Sequence, residues 1–176
     1  MASVVVTVGM GRWPFDRLVD AAGALSDRHE VFVQTGTSSV RPSCEHLPWV
    51  DPDELERRML DADVVITHAG NTVRWLQRRG RVPIAVAREA DRNEMGNDHQ
   101  VHYLRSEQDL GPVIAVWDVQ RLSLTVERHA ELAEEVALRP VPPIADPERL
   151  RVVLEDLSER DRRRGPFAEH PVRRYD

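Results

Sequence analysis

Short apolar segments rich in β-branched residues recur along the first two thirds of the chain, and helical spacings lie between them. Such segments are typical of strands that are buried on both faces. The predicted strands are Val4–Gly9, Val31–Gly36, Ala62–Ile66, Pro83–Arg88 and Val113–Trp117. Buried strands that alternate with helices predict an α/β fold with a doubly wound, mostly parallel sheet.

Two of the intervening segments carry clear helix signals. Asp51-Pro52-Asp53-Glu54 combines an N-cap residue, a proline at the first helical position and an acid at the third, so a helix is predicted to begin there. The other helix is predicted from apolar residues at helical spacing, which give a stripe that packs on the sheet: Phe15, Leu18, Val19, Ala22 and Leu25.

Two loops, Thr67–Thr72 and Asn97–Gln100, lie where a predicted strand ends and a helix begins. Ligands of open α/β folds bind at this edge of the sheet. Gly70 allows close approach of the backbone, and the free N–H groups of a first helical turn attract phosphate. The first loop therefore predicts a diphosphate site, although an ordinary turn that contains glycine and threonine remains the alternative.

The length of 176 residues suits one substantial core. We expect a binding domain over residues 1–139, followed by a proline hinge, an amphipathic helix and an arginine-rich tail over residues 140–176. No run approaches the roughly 18 apolar residues of a membrane helix, and no charged-then-apolar leader is seen. Cys44 is the only cysteine, so we expect a cytoplasmic, reducing location.

All 24 basic residues are arginine, in a chain of net charge -6. The missing lysine excludes phosphate-binding loops of the kinase or ATPase type and Schiff-base pyridoxal enzymes. The tail over residues 158–176 holds six arginines interleaved with four acidic residues and has no aromatic stacking platform. A solvated tail or a partner contact is favoured over a nucleic-acid or membrane-surface arm.

Gly9-Met10-Gly11 begins like the glycine fingerprint of dinucleotide-binding enzymes. Pro14 stands at the third glycine position, and Gln34 replaces the acid that binds the adenosine ribose. A dinucleotide-binding dehydrogenase is therefore disfavoured.

The histidines leave their roles open. His99 and His102 are three residues apart, a spacing that suits a metal, but no third ligand follows at a recognisable spacing, so no metal is predicted. His68 suits either a hydrogen bond to a ligand or one that shapes its own loop.

Several motifs follow one another in order between about residues 3 and 117: Val6–Gly9, Pro14–Val19, Gln34–Gly36, Ala62–Gly70, Glu94 and Asp98–Gln100. Together they resemble the C-terminal domain of family 28 glycosyltransferases. More narrowly, they are similar to the small donor-binding subunits of two-component glycosyltransferases, which act in N-glycan assembly and in bacterial exopolysaccharide synthesis.

The resemblance implies one half of a GT-B enzyme that binds a UDP-sugar, with UDP-N-acetylglucosamine as the expected donor. Gly9 would let the first loop approach the donor, while Gly70, Asn71 and Thr72 would cradle the diphosphate. The remaining implied contacts are Arg88 and Glu94 near the nucleoside, and Asp98, His99 and Gln100 on the ribose or sugar hydroxyls. No cofactor and no metal are expected, because backbone donors offset the charge of the leaving diphosphate in this family.

The catalytic base is not assigned to this chain, because in a GT-B enzyme it belongs to the facing acceptor domain. We therefore expect a separate acceptor-binding subunit, anchored to the membrane if the acceptor is a lipid-linked sugar. A helix predicted from Asp146-Pro147 carries an apolar stripe at Leu150, Val153, Leu154 and Leu157. It could fold back on its own domain, cross to the partner or support a homo-oligomer.

Three departures from the family pattern favour an alternative function. Met10 replaces a small hydroxyl residue, the segment from Gly70 to Gly80 is one residue short, and Trp75 stands about where related enzymes place a ribose-binding glutamate. Trp75 suits either packing or stacking on a ligand. The alternative is a non-catalytic nucleotide- or sugar-binding module of the same fold; an epimerase-like enzyme is disfavoured because it needs a two-domain cleft.

Overall fold

Six strands form one parallel sheet in the computed structural model, which describes residues 1–142. The strands are β1 (Ser3–Thr7), β2 (Glu30–Gln34), β3 (Glu45–Leu47), β4 (Val64–His68), β5 (Ile84–Val86) and β6 (Ile114–Ala115). Every neighbouring pair is parallel, in the order β3-β2-β1-β4-β5-β6. The predicted α/β, Rossmann-like fold is thereby confirmed.

The direction in which strands are added reverses between β1 and β4. The chain builds outward from β1 to β3, returns to place β4 beside β1, and then builds outward to β6. This strand order is that of dinucleotide-binding folds, in which the crevice at the reversal is the usual ligand site.

Helices cover both faces of the sheet. They are α1 (Asp16–Gly23), α2 (Pro52–Asp61), α3 (Asn71–Gln77), α4 (His99–Leu110), α5 (Leu122–Glu127) and α6 (His129–Ala137). Helices α1, α5 and α6 pack with Val4 and Val6 on one face, whereas α2 packs with Val5 and Phe32 on the other. Helices α3 and α4 extend that second layer over β5. A parallel sheet requires such cover, because both of its faces are apolar.

The predicted helix signals are confirmed. The carboxylate of Asp51 accepts hydrogen bonds from the backbone N–H groups of Asp53 at 3.0 Å and Glu54 at 3.3 Å, and α2 begins at Pro52. The predicted stripe is buried at all five positions: three lie in α1, Phe15 is its N-cap residue, and Leu25 lies in the 3-10 helix Ala24–Asp27 that follows.

The edge strand β3 is not predicted by the sequence pattern. It is three residues long, its side chains are partly or fully exposed, and it pairs with β2 through Glu45 opposite Phe32 and Leu47 opposite Gln34. A strand this short and polar has no hydrophobic alternation from which it could be recognised.

The predicted loop Thr67–Thr72 is shorter in the structure. Thr67 and His68 belong to β4, and Asn71 already lies in α3, so only Ala69 and Gly70 form the turn. Thr67 pairs with Thr7 of β1 and His68 pairs with Val86 of β5, so the strand runs two residues beyond its apolar core.

None of the helices within residues 1–142 is long and apolar enough to cross a membrane. The helix predicted from Asp146-Pro147 and the arginine-rich tail lie outside the described residues. The described chain ends at Pro142, whose carbonyl oxygen accepts a hydrogen bond from the guanidinium of Arg74 in α3.

Candidate functional site at the switch point

A cleft of about 460 Å³ opens at the carboxyl edge of the sheet, beside the reversal between β1 and β4. This volume falls within the range of about 300–1,000 Å³ that is usual for small-molecule sites. Its polar lining consists of Thr7, Gln34, Glu56, His68, Asn71 and Thr72. Its apolar lining consists of Met10, Val50, Pro52, Leu55, Met59 and Trp75, and Gly9 completes the wall.

Of the residues predicted to approach the donor or cradle its diphosphate, Gly9, Asn71 and Thr72 line this cleft and Gly70 does not. Gly9 lines it from the loop after β1, with a φ of 77° that favours glycine. Asn71 and Thr72 line it as the first residues of α3, for which Gly70 is the N-cap. The structure therefore brings the loops after β1 and β4 together, as the parallel topology requires.

The imidazole of His68 lies between Gly9 and Gly70. A Cβ atom placed on Gly9 would lie 2.6 Å from the ring Cε1, and one placed on Gly70 would lie 2.5 Å from Nε2. Both distances are far below van der Waals contact, so neither position accepts a side chain while the ring is there. These glycines are thus required by the packing of His68, whatever ligand approaches them.

His68 is held in its neutral form. Burial, together with the positive charge of Arg88, lowers the pKa of the imidazole to about 4. Its Nδ1 atom is buried and has no hydrogen-bond partner within residues 1–142. A neutral imidazole that borders the cleft is suited to hydrogen bonding and is a poor proton acceptor at neutral pH.

Arg88, predicted near the nucleoside, is only 3% exposed and directs its guanidinium into the protein. It donates hydrogen bonds to the carbonyl oxygens of Val8 at 2.7 Å, Trp13 at 2.8 Å and Pro14 at 2.9 Å. Burial lowers its pKa to about 10, which leaves the group charged at neutral pH. Arg88 thereby fastens the loop after β1 to the end of β5.

Gln100 and Glu94 belong to the same buried network. The side-chain oxygen of Gln100 accepts a hydrogen bond from the backbone N–H of Arg88 at 3.1 Å. The carboxylate of Glu94 accepts two hydrogen bonds from Arg17 and one from the backbone N–H of Glu89. All of these atoms find their partners within the protein, on the side of the sheet edge away from α2.

Asp98 and His99 are exposed at the start of α4. Asp98 accepts a hydrogen bond from the backbone N–H of Ala90 at 2.8 Å, and the ring of His99 bonds to the side chain of Asn97. The predicted residues thus divide into a group at the cleft, a buried network and an exposed pair. Neither Asp98 nor His99 lines the cleft beside α3.

Two residues that the sequence does not single out as site residues shape the cleft. Gln34 is buried. Its side-chain oxygen accepts hydrogen bonds from Thr7 Oγ1 at 2.8 Å and from the backbone N–H of Gly9 at 3.1 Å. Its side-chain nitrogen donates to the carbonyl oxygens of Gly9 and Pro48. Its position at the end of β2 was the available signal. Glu56 reaches the cleft from α2, and no local pattern relates that helix to the loops.

The strand order and the cleft at the switch point define a Rossmann-like α/β domain with a candidate small-molecule site. Within residues 1–142, no three His, Cys, Asp or Glu side chains gather at a distance suited to a metal. No protein-family model matches the chain, and no curated protein is significantly similar to it.

Proposed function

We propose that this chain binds the nucleotide-sugar donor, with UDP-N-acetylglucosamine as the expected donor, of a bipartite glycosyltransferase. The observation that carries the proposal is the cleft at the switch point, where Gly9, Asn71 and Thr72 converge from the loops after β1 and β4. The motif resemblance described above supplies the chemical class of the ligand.

The diphosphate is expected at the start of α3. The first intrahelical bond there runs from the N–H of Val73 to the carbonyl of Gly70, so the N–H groups of Asn71 and Thr72 precede the helical ladder. No acidic side chain lies in the first turn of α3 to offset the positive end of its dipole. A diphosphate would gain several backbone donors at once.

Glycosyl transfer with inversion needs a base that this chain is not expected to supply. The acceptor hydroxyl oxygen bonds to the anomeric carbon while the bond from that carbon to the diphosphate oxygen breaks, and a base takes the hydroxyl proton. His68, with a pKa of about 4, is a weak base for this step. We therefore assign the base to the acceptor-binding subunit.

Exposed apolar side chains at the rim of the cleft support the existence of such a partner. Met10 is 71% exposed and lines the cleft, and Trp49, which is 50% exposed, precedes the cleft residue Val50. A subunit that covers the cleft would bury these side chains and exclude water from the reaction. In this proposal the complex works at the cytoplasmic face of a membrane that holds the partner.

The alternative is a nucleotide- or sugar-binding module without transfer activity. The observation that favours it is the internal hydrogen bonding of Arg88, Glu94 and Gln100, which leaves these residues with partners inside the protein. Such a module would use the same cleft and the same first turn of α3. Binding alone therefore does not separate the two functions.

The first experiment is calorimetric titration of the full chain with UDP-N-acetylglucosamine, UDP and NADH. Saturable binding of the UDP ligands, weakened by Thr72→Val and unchanged by the control Thr125→Val on α5, is the expected result. No binding of any UDP ligand, with or without an acceptor-binding partner, contradicts the proposal. Transfer of labelled sugar in the presence of the partner indicates the enzyme subunit, and binding without transfer indicates the module.

A further inference from the structure

The cleft has a polar side and an apolar side. Asn71, Thr72 and His68 lie at the carboxyl end of β4 and the start of α3, whereas Leu55 and Met59 enter from α2. A nucleoside diphosphate is divided in the same way, with a charged diphosphate at one end and a planar base at the other. The orientation of such a ligand would follow from this arrangement.

Trp75 stands on α3 one turn after Asn71 and borders the apolar side. The guanidinium of Arg79 lies 3.8 Å from the centre of its ring and covers one face of it. Arg79 also donates a hydrogen bond to the backbone carbonyl of Trp75, which fixes the cation over the indole. Trp75 also packs against the apolar cluster that includes Val5 and Met59, and the remaining exposed part of its ring borders the cleft.

Glu56 is the one carboxylate among the residues of the 1–142 segment that line this cleft. It is exposed on α2, and within residues 1–142 it makes no salt bridge with an arginine or histidine. Its neighbours Arg57 and Arg58 are paired instead with Glu54, Asp61 and Glu45. An ionised carboxylate accepts two hydroxyl donors, as the vicinal hydroxyls of a ribose require.

The network beyond β5 offers a nucleoside much less. Arg88 is 3% exposed, Gln100 is 3% exposed and Glu94 is 6% exposed. Their polar atoms are committed to carbonyl, N–H and guanidinium groups of the protein. A base would have to break these bonds to reach them, whereas the side of the cleft beside α2 is open.

We propose that the nucleoside of the bound ligand lies on the α2 side of the cleft, with its base against Trp75 and its ribose hydroxyls donating to Glu56. The inference rests on the proposed nucleotide binding and deepens it. It assigns to α2 the protein carboxylate that binds the ribose. Trp75 occupies the position in α3 where the family pattern has a glutamate. Base stacking of this kind tolerates different bases, so ADP is expected to bind nearly as well as UDP.

The test measures the affinity of the full chain for UDP, 2′-deoxy-UDP, ADP and inorganic pyrophosphate. Trp75→Ala is expected to lower the affinity for UDP and ADP by about tenfold or more and to leave the affinity for pyrophosphate unchanged. Trp75→Phe is expected to retain most of the nucleotide affinity. Glu56→Gln is expected to lower the affinity for UDP by about tenfold and the affinity for 2′-deoxy-UDP much less. Trp117→Ala and Glu135→Gln, on elements away from the cleft, are the matched controls.

The outcomes separate this inference from the function on which it rests. Tight UDP binding that neither Trp75→Ala nor Glu56→Gln affects overturns the nucleoside site and leaves the proposed function standing. Equal losses of UDP and pyrophosphate affinity in Trp75→Ala also overturn it, because they indicate general damage to the cleft. Failure of the unaltered chain to bind any nucleotide, alone or with an acceptor-binding partner and with folding intact, overturns both.

Discussion

The guanidinium of Arg17 binds both carboxylate oxygens of Glu94, with Nε 2.9 Å from Oε1 and Nη2 2.8 Å from Oε2. Both side chains are largely buried, with 15% and 8% of their surfaces exposed. The pair joins α1 to the loop after β5, across 77 residues of sequence. Glu94, a predicted nucleotide-site residue, thus belongs to a structural ion pair.

Glu94→Gln is expected to destabilise the protein by about 2 kcal/mol, because the buried Arg17 cation loses its bidentate carboxylate partner and keeps only Glu89, at 3.3 Å. Chemical denaturation of the two proteins measures this difference. The exposed pair of Arg128 with Glu131 provides the control, and Glu131→Gln should cost less than about 1 kcal/mol. Equal effects of the two substitutions would show that the Arg17 pair is no more than a surface contact.

Gly70→Ala and Gly9→Ala are both expected to destabilise the fold, because each Cβ would strike the ring of His68. Removal of the His68 ring should restore the stability of the two variants to different extents. The backbone of Gly70 is extended, so the cost of Gly70→Ala should largely disappear in a His68→Ala background. Gly9 has a φ of 77°, so about 1 kcal/mol of backbone strain should remain there.

A double-mutant cycle in denaturant measures both rescues. Additive effects of Gly70→Ala and His68→Ala would contradict the packing described for the ring. Gly11 is the matched control, because a Cβ added there would have no atom of another described residue, outside its chain neighbours, within 4 Å.

The low pKa of His68 predicts a stability that depends on pH. The folded state holds the pKa near 4, below the ordinary value of 6.5, so the folded protein binds the proton less readily than the unfolded chain. The contribution of the neutral His68 ring to the free energy of unfolding is fully present above about pH 6.5 and is lost as the pH falls towards 4. Its size is on the order of 3 kcal/mol.

The free energy of unfolding of the unaltered protein should therefore fall more steeply between pH 6.5 and 4 than that of His68→Asn. Carboxylates titrate in both proteins, and the difference between the two curves isolates the histidine. Parallel curves would indicate that the ring is not held neutral by burial.

Gln34→Glu is expected to destabilise the protein by about 2 kcal/mol or more, because a carboxylate cannot donate to the carbonyl oxygens of Gly9 and Pro48. It should not raise NADH affinity above that of the unaltered protein, although it restores the acid of the dinucleotide pattern. Thermal unfolding and an NADH titration test the two statements. Gln120→Glu, at an exposed site, is the control, and a gain of NADH binding by Gln34→Glu would contradict the structural role.

The fold was predictable because its signals are local or periodic. The stripe from Phe15 to Leu25 and the cap at Asp51 each lie within a few residues of sequence, and both are confirmed. The short edge strand β3 was not predictable, because its three residues become a strand only by pairing with β2. Its hydrogen-bonding partners are not encoded in its own composition.

The candidate site was only partly predictable. The positions of Gly9, Asn71 and Thr72 follow from strand ends that meet at one edge of a parallel sheet. The sequence does not reveal that Arg88 and Gln100 bond to each other, because polar residues near a site look the same whether they face a ligand or the protein. Nor does it bring Glu56 to the cleft, since that depends on how α2 packs against the sheet.

The sequence by itself determined the alternation of strands and helices, the parallel sheet and the positions of its turns, because hydrophobic periodicity and capping act over a few residues. Tertiary structure alone decided that His68 fills the space between two glycines, that Arg88 turns inward, and that α2 and α3 wall the cleft together. These relationships join segments far apart in the chain. They arise from packing, in which burial and hydrogen bonding choose among side-chain directions that the sequence leaves open.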